Sequence, residues 1–165
     1  MQFSYKFYKN TVSAWEGMRL AILEARKSIY WEIYDLTDDE AGKPFIDILC
    51  TKAQAGLDVK LIVDAIGSFY LSSESISRLK SSGVKFLIFH RFGIRFVLQN
   101  WWRRIWHRTH RKVLIVDREI LFIGGVNVAK NAATWQDVHL RLTGKIIFHI
   151  FFISTSSKSR AGERV

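Results

Sequence analysis

His110 to Asn127 reads HRKVLIVDREILFIGGVN. Two short apolar runs, Lys112 to Asp117 and Ile120 to Ile123, flank Asp117-Arg118-Glu119, which has the character of a tight turn between strands. Side chains alternate along an extended chain, so His110 and Lys112 project from the same side. An imidazole and an ammonium so placed suit a phosphate group. The lysine supplies fixed positive charge, and the imidazole can attack phosphorus or move protons near neutral pH. Asp117 follows four apolar residues. Gly124-Gly125 lets backbone approach an anion closely, and the Asn127 amide can donate to a phosphoryl oxygen. His107 and His110 have the spacing of a metal pair, but no further ligand cluster follows, so neither metal nor cofactor is expected.

Working outward, helical and strand-like patterns alternate. Ser13 with Glu16 predicts a capping box opening a helix to Lys27, with Met18, Ala21, Ile22 and Ala25 on one face. Ser28–Leu36 (SIYWEIYDL) is a predicted strand. Pro44 opens a second helix to Ala55, closed by Gly56. Asp58–Asp64, Val84–His90 and Val138–Leu142 are further predicted strands, with a helix over Ser73–Ser82 closed by Gly83. This rhythm implies an α/β fold whose mixed sheet is largely parallel and flanked by helices.

Composition agrees. The 165 residues are 48% apolar with one Pro and ten Gly, which excludes disordered and collagen-like classes and fits a single domain. One cysteine, Cys50, excludes a disulfide framework and a multi-cysteine zinc site, and its neighbours Phe45, Ile46 and Leu49 place it in the core. The opening residues carry no secretion-signal pattern. The apolar run Ile146–Ile153, interrupted by His149, is too short to cross a bilayer, so any membrane contact is expected to be peripheral.

A net charge of +10 favours anionic partners. From Ser75 to Val116 there is no Asp or Glu, yet ten Lys and Arg are interleaved with Phe and Trp. Trp101, Trp102, Arg103, Arg104 and Trp106 are the expected membrane-interface residues, because aromatic rings settle at the lipid boundary and basic side chains attract anionic headgroups. The same mixture suits single-stranded nucleic acid, which stays open as an alternative partner.

The spacing H-x-K-x4-D-x6-G-G-x-N resembles the signature of the phospholipase D, or HKD, superfamily. The surrounding text is closest to the bacterial cardiolipin synthases. Trp135-Gln136-Asp137-Val138-His139 followed by Gly144, Leu61-Ile62-Val63-Asp64 with Gly67-Ser68, and Glu32 on an early strand extend the likeness over about residues 12–144. The resemblance implies phosphatidyl or phosphodiester transfer through a phosphohistidine, without metal. His110 would be nucleophile or general acid, Lys112 and Asn127 would hold phosphoryl oxygens, and Asp137 would orient the imidazole. Asp117 belongs to the motif in a structural role, tying the turn at Arg118. Gly124, Gly125, Ser68 and Glu32 are expected around the substrate, and His139 on the strand surface or behind the site.

A complete centre in this superfamily uses two such motifs, and this sequence has one. Residues 1–153 are therefore read as one lobe and 154–165 as a flexible polar tail. The lobe is expected to need a second HKD lobe, supplied by a homodimer or a partner. Alternatives are a homodimeric nuclease, or an inactive amino-terminal half that only binds anionic lipid or phosphate. The cardiolipin synthase likeness implies a cytoplasmic protein, peripheral on the inner face of the cell membrane.

Overall fold

The computed structural model describes residues 4–89 and 110–144. The expected tail and the run Ile146–Ile153 lie outside them. Seven strands form one sheet: β1 (Ser4–Tyr8), β2 (Ser28–Ile33), β3 (Asp58–Asp64), β4 (Lys85–Phe89), β5 (Val113–Val116), β6 (Ile120–Gly124) and β7 (His139–Thr143). Three helices connect the first four: α1 (Thr11–Glu24), α2 (Lys43–Gln54) and α3 (Ser73–Ser81). The α/β architecture stands as expected.

The sheet order is β1-β7-β6-β5-β2-β3-β4. Only β2–β3 and β3–β4 are parallel; β5 runs antiparallel to β2, and the rest of that half is antiparallel throughout. The expectation of a largely parallel sheet is thus corrected. Parallel strands need long crossovers, and only the helix-linked half has them. β5 and β6 are joined by a three-residue loop, Asp117-Arg118-Glu119, in which Glu119 N–H bonds to Val116 C=O and both Asp117 and Arg118 have positive φ.

Because β5 opposes β2, β4 ends and β5 begins at the same end of the sheet. The chain leaves the sheet at Phe89 and returns at His110 on the side where β2 and β3 also finish.

Burial follows the pleat. Ile29, Trp31 and Ile33 of β2 join Leu61, Val63, Leu114, Val116 and Phe122 in one core, with Met18 and Ile22 of α1, Phe45, Ile46 and Leu49 of α2 and Leu79 of α3. All three helices therefore pack on the same face. Tyr30, Ile115 and Leu121 form a smaller cluster on the other face, with Val113 and Leu142 against it. Cys50 is a buried free thiol in the main core.

Three local readings change. β1 was assigned no strand, because four of its five residues (SYKFY) are exposed and carry no core pattern. Helix α1 is capped by Asn10, whose side chain accepts from Ser13 N–H at 2.9 Å, so the helix starts before the expected capping box. It also ends before Lys27, because Asp117 captures the backbone that follows. That carboxylate accepts from the N–H groups of Arg26 (2.8 Å), Lys27 (2.7 Å) and Ser28 (2.9 Å), tying the end of α1 and the start of β2 to the β5–β6 turn. These bonds hold its pKa below the usual carboxylate value, although partial burial opposes them.

Replacing Asp117 with Ala removes three charge-assisted bonds and leaves alanine at positive φ; unfolding in urea should show a loss of about 3 kcal/mol. A midpoint within error of wild type would contradict the clamp.

Candidate active site

The antiparallel β2–β5 pairing decides where the motif falls. Val113 pairs with Glu32, so His110 and Lys112 sit beside the continuation of β2. The Lys112 ammonium lies 3.1 and 3.3 Å from the two ring nitrogens of His110 and 5.2 Å from the centre of the Tyr34 ring. The Tyr34 and His110 rings themselves are 4.7 Å apart. His110 is exposed, whereas Lys112 is only 3% exposed and makes no ion pair among the described residues. Burial lowers the Lys112 pKa, and the charges of Asp137 and Asp35 oppose that shift.

Asn127 reaches the same end through the loop after β6. Val128 N–H bonds to Asp35 C=O at 3.0 Å and Thr37 N–H to Val128 C=O at 3.1 Å, which stitches this loop to the residues following β2. Trp15 Nε1–H donates to Asn127 C=O at 2.8 Å. The Asn127 side chain is buried, and its carboxamide oxygen has no hydrogen-bond partner. His110, Lys112 and Asn127 are thus all delivered to the carboxyl end of β2.

The other expected residues take different places. Asp117 sits beyond the opposite end of β5, fully engaged with backbone; its scaffold role extends past the expected turn at Arg118. Gly124 and Gly125 are not open anion donors. Gly125 N–H bonds to Val138 C=O at 3.1 Å, and Gly124 N–H faces Lys112 C=O at 3.4 Å. A Cβ on Gly124 would strike Val138 and His139, and one on Gly125 would strike the Asp137 carboxylate. The doublet makes room for the Asp137–His139 segment to close against β6.

Asp137 accepts from Val138 N–H at 2.9 Å, so its hydrogen bond is local and does not go to the His110 ring; its charge acts on Lys112 and His139. Ser68 is buried and spent: Leu36 N–H donates to its hydroxyl at 3.0 Å, and the hydroxyl lies 3.2 Å from Tyr34 C=O. Glu32 is half-buried within β2, two residues before Tyr34. Trp101, Trp102, Arg103, Arg104 and Trp106 lie outside the described residues.

Two further titratable groups lie beside the site, and the sequence motifs include only the second. Asp35 follows Tyr34, and one of its carboxylate oxygens is buried without a partner. Burial, reinforced by the nearby Asp39 charge and opposed by Lys112, pushes its pKa up to about 6. No motif includes it, and its state depends on burial and on neighbours distant in sequence. His139 is 1% exposed, so of its two expected places it takes the one behind the site, under the charges of Asp137 and Lys112, and neither ring nitrogen has a partner. Burial, with a smaller contribution from Lys112 and against the pull of Asp137, takes its pKa down to about 4. Among the described residues no group of His, Cys, Asp and Glu could hold a metal ion.

The sheet order, the helices on one face and this cluster define a phospholipase D-type lobe. A Nuc protein from Salmonella typhimurium, described as a phospholipase D family member, superposes with a TM-score of 0.68 at 20% identity, over 95% of this chain and 93% of that one. NucT from Helicobacter pylori gives 0.69 at 18% identity over 94% and 95%. Residues 18–145 match the family model described as "Cardiolipin synthase, PLD-like domain", and the chain belongs to that family. A cardiolipin synthase of Clostridium perfringens is 35% identical over 147 residues, 85% of this chain, and a probable cardiolipin synthase of Bacillus subtilis is 32% identical over 157 residues, 90% of this chain. The chain spans about 30% of the length of the first of these and 31% of the second.

The two buried groups give opposite pH responses. Between pH 4 and 6.5 an unfolded chain protonates His139 while the folded one does not, so the stability that His139 contributes above pH 6.5 is lost as pH falls. Relative to wild type, His139→Gln should remove a gain of about 3 kcal/mol across that window in urea unfolding. Asp35 keeps its proton to about pH 6 when folded. Its ionisation therefore lowers stability as pH rises from the unfolded carboxyl value, and Asp35→Asn should be stabilising at pH 8, by about 1 kcal/mol given its partial exposure. A His139→Gln profile parallel to wild type would show that the imidazole is not held neutral.

Proposed function

We propose that this lobe is one half of a two-imidazole centre for phosphatidyl transfer, of the cardiolipin synthase kind. The observation that carries the reading is the buried Lys112 ammonium against the His110 ring, at the strand end to which the Asn127 loop is also delivered. A buried cation beside an exposed imidazole is costly in the absence of an anion and well matched to a phosphodiester.

In the proposed sequence a His110 ring nitrogen attacks phosphorus. A P–N bond forms, the P–O bond to the leaving alcohol breaks, and a second imidazole gives that oxygen a proton. The same imidazole then takes the proton of an acceptor hydroxyl, whose oxygen forms the new P–O bond and releases His110. Lys112 and Asn127 hold the non-bridging oxygens as negative charge accumulates; a half-turn of the Asn127 side chain would present its NH2 group to them. Asp137 supplies a countercharge to Lys112. The acceptor is a lipid hydroxyl for transfer or water for hydrolysis.

The second imidazole comes from another HKD lobe, either a further segment or a second copy. The second-copy form has its own support, since Nuc and NucT match this chain over nearly their whole lengths and are lobes of the same size. That form also admits nucleic-acid phosphodiesters as the alternative substrate class. No helix among the described residues is long and apolar enough to cross a membrane. Lipid would then be met at the inner face of the cell membrane, from the cytoplasm.

Short-chain phosphatidylglycerol incubated with the wild-type chain should give transfer or hydrolysis, rising with the dimer fraction if two copies complete the centre. His110→Ala should lower the rate by at least about a thousandfold, and Asn127→Ala by about a hundredfold. Acid quenching of wild type with phosphorus-labelled lipid should trap label on protein, and His110→Ala should trap none. Undiminished turnover by His110→Ala would overturn the mechanism; cleavage of oligonucleotide but not lipid would move it to the alternative substrate.

A further inference from the structure

The turn after β3 carries a feature that the transfer chemistry does not use. Phe69 and Tyr70 are 72% and 78% exposed, and Ile66 beside them is also exposed. The turn beneath them is held firmly. The Asp64 carboxylate accepts from Ile66 N–H at 2.9 Å and Gly67 N–H at 3.3 Å. Phe69 N–H bonds to Ile66 C=O and Leu71 N–H to Ser68 C=O, and the Leu71 side chain is buried. Gly67 lies so close to the Tyr34 carbonyl that a Cβ would collide with it. The Ser68 hydroxyl fastens the turn to Tyr34 and Leu36. The aromatic tip is thus mounted on the residues that pack against His110. Tyr70 also lines a cleft of about 590 Å3 shared with Asp35, Asp39 and Lys130.

We propose that Ile66, Phe69 and Tyr70 form a tip that enters the surface of a phospholipid bilayer and fixes the height of the His110–Lys112 pair above it. This rests on the lipid-transfer reading above and names the surface from which that substrate is taken. Aromatic rings gain free energy at the boundary between headgroups and acyl chains. The two rings stand at 85° to each other with centres 5.5 Å apart, which is unsuited to stacking successive bases of a single strand. Two aromatic side chains offer roughly 400 Å2, well short of the ~800 Å2 per partner that a stable protein interface buries. A bilayer needs no such minimum, because any exposed apolar group can enter it.

The test is partition of the full chain onto large vesicles of phosphatidylglycerol and phosphatidylcholine in about 0.5 M salt, where the screening length falls to roughly 4 Å and attraction by the basic surface is suppressed. Wild type should bind. The double variant Phe69→Ser/Tyr70→Ser should bind at least about tenfold more weakly, a change of about 1.4 kcal/mol. Phe69→Leu/Tyr70→Leu should restore binding, which separates lost apolar contact from lost folding. Tyr5→Ser, on an equally exposed ring of β1, should bind as wild type.

Equal binding by the serine double variant, loss through Tyr5→Ser, or no wild-type binding in salt would overturn the tip. So would serine substitutions that dissolve an oligomer or abolish oligonucleotide binding while leaving vesicles untouched. His110→Ala should bind vesicles normally. Tip-dependent binding without His110-dependent turnover would end the transfer reading and keep the tip; His110-dependent turnover of short-chain lipid with tip-independent binding would do the reverse.

Discussion

A lysine taken out of water dictates much of this molecule. With 3% of its surface exposed and no carboxylate within ion-pairing distance among the described residues, the Lys112 ammonium is compensated only in part. The electron-rich face of Tyr34, a ring nitrogen of His110 and the more distant charges of Asp35 and Asp137 each contribute. Such a cation gains from any anion that can reach it, and the exposed imidazole beside it marks where an anion enters. Those groups come from three parts of the chain: the extension of β2, the approach to β5 and the lead into β7. The reversal of β5 against β2 is what brings them together.

Within the signature stretch, half of the characteristic residues build the frame rather than act on substrate. Asp117 spends its carboxylate on three backbone N–H groups at the far end of β5. Gly124 and Gly125 are small because the Asp137–His139 segment lies against them. Ser68, expected near substrate, is fully occupied in fastening two loops. Their contribution to any reaction is positional, since each fixes an element on which His110, Lys112 or Asn127 depends. The buried, neutral His139 belongs with them, and burying an imidazole with both nitrogens unpaired is a cost the fold carries at this place.

The sequence was most legible where burial is strongest. DVKLIVD at β3 lies where its pattern puts it, and β2 begins at Ser28 as expected but ends at Ile33, three residues before the expected Leu36. Gly56 and Gly83 close their helices at positive φ, as glycine after a helix should. The direction of pairing was harder to see. Helix–strand alternation holds for the first four strands and says nothing about the last three, although the tight turn at Asp117-Arg118-Glu119 already required β5 and β6 to be antiparallel. β1 is hidden from a local reading because its partner, β7, lies more than 130 residues away and only Tyr8 of its five residues is buried. The chemical pair His110–Lys112 was readable from alternation; the raised Asp35 carboxyl was not, because its state depends on burial beside Asp39 and Lys112, which no local pattern encodes.

The shared exit and entry point at Phe89 and His110 has a wider meaning. Strand ends gathered on one rim bring residues distant in sequence side by side, and lengthening the chain between two such ends raises the entropy of closure only slowly. The sheet therefore holds Phe89 and His110 at one edge by the pairing of β4 with β3 and of β5 with β2, whatever number of residues separates them in sequence.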